Sequence, residues 1–242
     1  ALEDRDCSCL RPLQQAGIEG LWTPMLDFRM GTSGCQQGCI ACGHLCRTAA
    51  IRRLSVDERW GRGDFSSRGP VRIGTAFVDR GRCLPWAMDR PCIVCHENCP
   101  VSPKAIRTRE IFNTINTGAR IVVARADSQY VEFQAAISGT DRFAGGDYFC
   151  AVPTSNDPRP RRIVSSWERG LKISDGLPFE LPPPPGSVLE IQIRLQQPYV
   201  DPELCIGCGV CEHECPVPGK RAIRVTADGE SRDRNHSLLL RS

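Results

Sequence analysis

Four cysteines stand at close, regular spacing near the C-terminal end of the chain, the last followed by proline: Cys205, Cys208, Cys211, Cys215 and Pro216. The first three are each two residues apart, which lets their thiolates bind three corners of a [4Fe–4S] cubane from a single tight loop. Gly207 and Gly209 suit the unusual backbone conformations and the close approach that such a loop needs. The motif therefore predicts a [4Fe–4S] site.

Most of the 15 cysteines fall into three such groups. The middle motif has a longer first gap and ends in Pro100; its cysteines are Cys83, Cys92, Cys95 and Cys99. The first motif has one extra residue in its first gap and Arg47 in place of proline; its cysteines are Cys35, Cys39, Cys42 and Cys46. A longer gap only enlarges a loop, so we expect three cluster-binding units.

The fourth cysteine of such a motif binds the neighbouring cluster in two-cluster ferredoxins, so the ligand sets are expected to interleave. We expect site A to comprise Cys35, Cys39, Cys42 and the distant Cys99. Site B takes Cys83, Cys92, Cys95 and the distant Cys46. Site C takes Cys205, Cys208, Cys211 and Cys215, with Cys7 or Cys9 as possible substitutes for its fourth ligand. Three [4Fe–4S] clusters are the cofactors that this arrangement predicts.

Other uses of cysteine fit the spacing less well. Four-cysteine zinc sites use C-x2-C pairs separated by longer loops, whereas these motifs crowd three ligands together. A disulfide framework is typical of small secreted chains, and 242 residues do not require one. Cys150 has no cysteine neighbours and is interpreted as a small buried apolar residue.

The elements around the motifs indicate an α+β fold of ferredoxin-like [4Fe–4S] units, short βαβ repeats, with an inserted small antiparallel β module. Ala-Ile follows each motif within a few residues, as a helix start leading into a strand, and this repetition is the trace of one small unit used several times. Residues 1–30 are an N-terminal segment that is interpreted as a possible remnant of a lost motif, and 31–106 hold the paired units. Residues 107–198 form the β module, because apolar and polar residues alternate there over 131–137 and 189–195. Residues 199–242 hold the last unit and a tail.

Composition excludes some functions. The net charge is only +3 and there is no polybasic run, so nucleic acid is not an expected partner. No apolar run approaches the length of a membrane span. The β module shows no catalytic constellation. His44, His96 and His213 lie inside the motifs, and two alternatives are open for them: a ring N–H that donates to a cluster sulfur, or an exposed polar side chain.

With these residues laid out, the chain resembles the MauM/NapG ferredoxin-type proteins. The stretches that carry the resemblance are 20–24, 34–46, 73–76, 79–86, 91–95 and 199–225. Similar proteins carry four cluster motifs; here the first is absent, and Asp6-Cys7-Ser8-Cys9-Leu10-Arg11-Pro12 occupies the place of its end.

The resemblance implies a periplasmic, membrane-associated subunit, exported through the twin-arginine route, that relays electrons from a membrane quinol-oxidising partner to a terminal oxidoreductase. A cytoplasmic location is the alternative. We expect an electron carrier rather than an enzyme. The alternatives are an iron–sulfur enzyme subunit with one open-coordination cluster and a zinc-stabilised interaction module.

Overall fold

The fold is known from a computed structural model that describes residues 9–12, 23–29, 34–115, 120–137, 141–155 and 157–230. Two compact units make up the chain. The cysteine-rich unit comprises residues 1–83, 93–108 and 198–242, and the β unit comprises 84–92 and 109–197. Within the described residues, no helix is both long enough and apolar enough to cross a membrane.

The helices are short, and strands dominate the described part of the chain. The helices are α1 (Ala41–Leu45), α2 (Val56–Trp60), a 3-10 helix (Gly63–Arg68), α3 (Leu84–Ala87), α4 (Val94–Glu97) and α5 (Val210–Glu214). The strands are β1 (Leu10–Pro12), β2 (Pro24–Leu26), β3 (Thr75–Val78), β4 (Ile106–Thr114), β5 (Arg120–Ala126), β6 (Tyr130–Phe133), β7 (Tyr148–Ala151), β8 (Arg161–Trp167), β9 (Gly170–Ile173), β10 (Val188–Val200) and β11 (Ile223–Thr226).

Two small antiparallel pairs tie together distant parts of the cysteine-rich unit. β1 pairs with β2, which brings Leu10 opposite Leu26. β3 pairs with β11, which brings Ala76 opposite Val225. Helices α4 and α5 also pack together. The segment before the middle motif and the segment after the last motif are therefore neighbours in space.

The β unit is built on one antiparallel sheet in the order β4-β10-β5-β6-β9-β8-β7, and β7 pairs again with β10. This last pairing closes the strands from β10 to β7 into a ring. The alternation predicted for β6 and β10 is confirmed: Val131 and Phe133 are buried, as are Leu189, Ile191 and Ile193. The apolar side chains fill the interior because successive residues of a strand point to opposite faces.

Cys150 lies in this interior and is fully buried. Its interpretation as a buried apolar residue is confirmed. Burial raises the pKa of the Cys150 thiol to about 12, so the side chain stays neutral at physiological pH.

Candidate metal centre

The three motifs share one local structure. In each, the third cysteine lies on a short helix: Cys42 on α1, Cys95 on α4 and Cys211 on α5. The fourth cysteine follows at or just beyond the helix end, and Cys46 and Cys215 are the C-cap residues of α1 and α5.

Site C is built around an apolar cavity in the cysteine-rich unit. Its sulfur-bearing residues are Cys99, Cys205, Cys208 and Cys211. Apolar residues of the same cavity wall include Val101, Ile106 and Ile206. The last three cysteines come from the C-terminal motif and the first from the end of the middle motif. Four cysteines lining one cavity match in number and kind the ligands of a [4Fe–4S] cluster.

Glycine is required at two positions of the site C loop. Gly207 and Gly209 have φ values of 67° and 74°, in the left-handed region. A Cβ atom on Gly207 would meet the backbone of Gly74, and one on Gly209 would meet the ring of Phe28. The role predicted for these glycines from the sequence is confirmed, because both have positive φ and the loop closely approaches the Gly74 backbone and the Phe28 ring.

At site C, neighbouring thiols help to raise the pKa values of Cys208 and Cys211. Burial, helped by the neighbouring thiols of Cys205, Cys99 and Cys35 and opposed by the Val210 N–H, raises the pKa of Cys208 to about 11. Burial is the main cause that raises the pKa of Cys211 well above its ordinary value. The neighbouring thiols add to the shift; they are Cys208, Cys205, Cys95 and Cys99. Thiolates crowded in an apolar pocket need a positive centre among them, and bound iron would supply it. The residues present therefore fit the cluster that the motif predicts.

Backbone and side-chain hydrogen bonds hold the walls of site C. The Ala76 N–H donates to Cys205 Sγ at 3.4 Å. Glu212, buried on α5, accepts the Val225 N–H at 2.8 Å through Oε2. Val225 itself lines the cavity, so this carboxylate fastens β11 to the helix that carries Cys211.

Site A differs from site C in the cysteine that joins it from outside its motif and in its exposure to solvent. Cys9, which directly precedes β1, is hydrogen-bonded to the thiol of Cys35. That bond, together with burial, raises the pKa of Cys35, and the guanidinium of Arg59 opposes the shift. Arg59 Nη2 lies 3.6 Å from Cys35 Sγ. Cys39 is half-buried and Cys42 is exposed, so site A opens to solvent.

Sites A and C are adjacent. The Cys35 N–H donates to the Cys208 carbonyl oxygen at 2.7 Å. Gly34 permits this approach, since a Cβ there would lie 2.5 Å from Val210 N and 2.6 Å from Cys208 O. The first and last motifs therefore touch through their backbones.

Two cysteines lie beside motifs other than those to which the sequence assigned them. Cys99, predicted for site A, borders the cavity of site C. Cys9, considered for site C, lies beside Cys35 of site A. The difference has a physical cause: the pairing of β3 with β11 makes the middle and last motifs neighbours, which spacing along the chain does not reveal.

The ligands predicted for site B are divided between the two units. Cys83 is buried and its N–H donates to Asp79 O at 3.1 Å, in the cysteine-rich unit with Cys95 and Cys215. Cys92 belongs to the β unit. Cys7 lies outside the described residues. No described contact groups Cys46 with the other ligands predicted for site B, so that set stays a prediction.

Cys46 has a polar environment of its own. Its sulfur accepts the Ile51 N–H at 3.4 Å and lies 3.5 Å from Thr48 Oγ1. The Thr48 hydroxyl and then the Ile51 N–H lower the pKa of this thiol, which favours the thiolate that binds metal.

The three motif histidines have a role that sequence reasoning missed. His44 Nε2 lies 3.0 Å from Leu54 O, His96 Nδ1 2.7 Å from Ile106 O, and His213 Nδ1 2.9 Å from Phe28 O. Each ring N–H thus donates to a backbone carbonyl rather than to a cysteine sulfur. The shared position of the histidines on the three short helices was the available signal. They anchor each motif helix to a segment outside the motif.

Comparison with known proteins supports the assignment of the last motif. A protein-family model described as a 4Fe-4S binding domain matches residues 198–218. That match supports an iron–sulfur protein of the ferredoxin type, with a [4Fe–4S] cofactor and electron transfer as its chemistry. No curated protein and no solved structure matches the chain. In the parts of the chain that the structure describes, no three or more His, Cys, Asp and Glu side chains are grouped so as to hold a single metal ion.

Proposed function

We propose that the chain is an electron-carrying subunit of the MauM/NapG type with three [4Fe–4S] clusters. It would work on the periplasmic side of a membrane, between a quinol-oxidising membrane subunit and a terminal oxidoreductase. The observation that carries the proposal is the convergence of Cys99 with Cys205, Cys208 and Cys211 on one apolar cavity. The family-model match over the last motif supports the cofactor, and the resemblance of the motifs supports the partners.

We further propose a ligand set for each site. Site A would use Cys35, Cys39 and Cys42 with Cys9, because Cys9 lies against Cys35. Site C would use Cys205, Cys208 and Cys211 with Cys99. If Cys99 serves site C, the exchange typical of two-cluster ferredoxins assigns Cys215 to site B in place of Cys46.

A bound cubane would supply one-electron redox chemistry at each site. The residues of the chain would bind the clusters, enclose them and fix their orientation. The glycines of the site C loop allow close backbone approach, and the apolar wall excludes water from the sulfurs. The backbone contact between Cys35 and Cys208 keeps sites A and C side by side, which favours passage of charge between them.

The placement of Cys99 also bears on the enzyme alternative. An iron–sulfur enzyme leaves one iron without a protein ligand so that substrate can bind there. At site C a fourth thiol lies at the same cavity as the other three, which favours full cysteine coordination and therefore a carrier.

The test is anaerobic reconstitution of the full chain with iron and sulfide. We expect about 12 iron atoms per chain, and a broad absorption near roughly 400 nm that dithionite bleaches, as for cubane clusters. Zinc in a colourless, folded protein would establish the interaction module instead, and about 8 iron atoms would remove one site. Isolation of the tagged chain from native membranes tests the partners, and it should retain a quinol-oxidising subunit.

A further inference from the structure

Arg59 is the one buried base among the described residues of the cysteine-rich unit, with 4% of its surface exposed. Its Nε donates to Gln37 O and its Nη1 to Val71 O, both at 3.0 Å. The third N–H group points at Cys35 Sγ at 3.6 Å. The two carbonyls orient the guanidinium without neutralising it, so its positive charge is held against a sulfur of site A.

No such cation is described at the sulfurs of site C. Cys205 receives the neutral N–H of Ala76, and Val210 provides a neutral N–H at Cys208. The solvent exposure also differs. Cys205, Cys208 and Cys211 are all buried, whereas Cys42 of site A is exposed.

The difference in charge and the difference in solvent exposure both favour reduction of site A over reduction of site C. Reduction adds one negative charge to a cluster. A guanidinium in contact with a ligand sulfur stabilises that added charge more than a neutral N–H does, and water stabilises it further. An apolar enclosure destabilises it, because interactions with distant solvent are lost when a charge is buried.

We propose that Arg59 and solvent access set the reduction potential of site A above that of site C. This inference rests on the proposed function, since it requires a cluster at both sites. One electron then passes downhill from site C to site A across the Cys35–Cys208 contact. Site C is oxidised by one electron and site A is reduced by one, with no bond formed or broken and no proton transferred. The exposed Cys42 makes site A the end of this pair that is accessible to an acceptor protein.

The experiment is a potentiometric titration of the reconstituted full chain, followed by electron paramagnetic resonance. Cys42→Ser identifies the signal of site A and Cys208→Ser that of site C, because each substitution alters or removes one signal. In the unmodified chain we expect the site A signal to form at the higher potential. A site A midpoint at or below that of site C overturns the inference.

The contribution of Arg59 is tested separately with Arg59→Met. At a fixed potential the ratio of reduced to oxidised site A should fall about tenfold, or about 59 mV for one electron. Site C should move less. Arg62→Met is the matched control, since Arg62 stacks over the Trp60 ring and should leave both midpoints in place.

A conservative variant and the iron content distinguish a loss of folding from a change in reduction potential. Arg59→Lys retains the charge and should shift the midpoint less than Arg59→Met. An unchanged site A midpoint in a folded, iron-loaded Arg59→Met protein overturns the role of Arg59. If Arg59→Met loses its cluster, the inference is judged by the order of the two midpoints in the unmodified chain. A folded chain without iron contradicts the proposed function itself, not the order of the sites.

Discussion

The Cys35 N–H donates to the carbonyl oxygen of Cys208 at 2.7 Å, which joins the loop of the first cysteine motif to the loop of the last. The two residues are far apart in the chain, and their contact places site A next to site C. Cys99 connects site C in turn to the middle motif. The last motif is therefore in contact with parts of both others.

Gly34→Ala should disturb this junction. The added Cβ would lie 2.5–2.6 Å from backbone atoms of Cys208, Gly209 and Val210, which cannot move as a side chain can. We expect a loss of about 1–3 kcal/mol in stability, as for overpacked sites, measured by iron release in denaturant. Gly38→Ala is the control, because its Cβ would meet only the Trp60 side chain, at 3.4 Å. Equal stability of the two variants would contradict the close packing of these loops.

The proposed exchange of fourth ligands predicts paired effects. Cys99→Ser should alter the same resonance signal as Cys208→Ser, and Cys9→Ser the same signal as Cys42→Ser. The reason is that each pair would bind one cluster. Electron paramagnetic resonance of reduced variants measures this. If Cys99→Ser changed only the Cys42-dependent signal, the set predicted from the sequence would stand instead.

Glu212 should matter through one hydrogen bond. Glu212→Ala leaves the part-buried Val225 N–H without its acceptor, at a cost of about 1 kcal/mol. Glu212→Gln keeps an oxygen that can accept the bond and should be milder. Iron retention at site C during dilution under anaerobic conditions is the readout. Similar losses in both variants would show that charge, not the hydrogen bond, is what Glu212 contributes.

The β unit should lose stability in acid through Asp157. Its carboxylate binds Arg159 and the buried Arg161, which lower its pKa. A carboxyl with a depressed folded pKa stabilises fully above its unfolded pKa of about 3.9, and that stability is lost as the pH falls below it. Asp157→Asn should lower the thermal midpoint at pH 7 and reduce its drop between pH 7 and pH 3. Asp175 forms an exposed ion pair with Lys172, so Asp175→Asn should leave both the thermal midpoint at pH 7 and its drop toward pH 3 unchanged.

Cys150 should resist chemical modification. Its thiol is fully buried and its pKa is raised to about 12, so little thiolate forms and none of it is accessible. Mass spectrometry after iodoacetamide treatment should find this residue unlabelled in the native protein and labelled after unfolding. Cys150→Ala should leave the iron content unchanged. Rapid labelling of the native chain would show that the β unit opens readily.

The local part of the metal sites was determined by the sequence alone. Three thiols within one short loop are brought together by their spacing, and Gly207 and Gly209 mark the backbone turns that the loop needs. Alternation likewise located the half-buried strands β6 and β10, and the isolation of Cys150 indicated its place in a core. These features depend on residues close together in the chain, so no tertiary information is needed.

Tertiary structure decided the long-range part. Whether Cys99 faces site A or site C depends on which motifs become neighbours, and the pairing of β3 with β11 across the chain sets that. No local pattern distinguishes Arg59 from the other arginines around it; only burial and the contact with Cys35 do. A fourth ligand and a charge beside a sulfur are both non-local contacts, and such contacts arise from the packing of elements rather than from spacing.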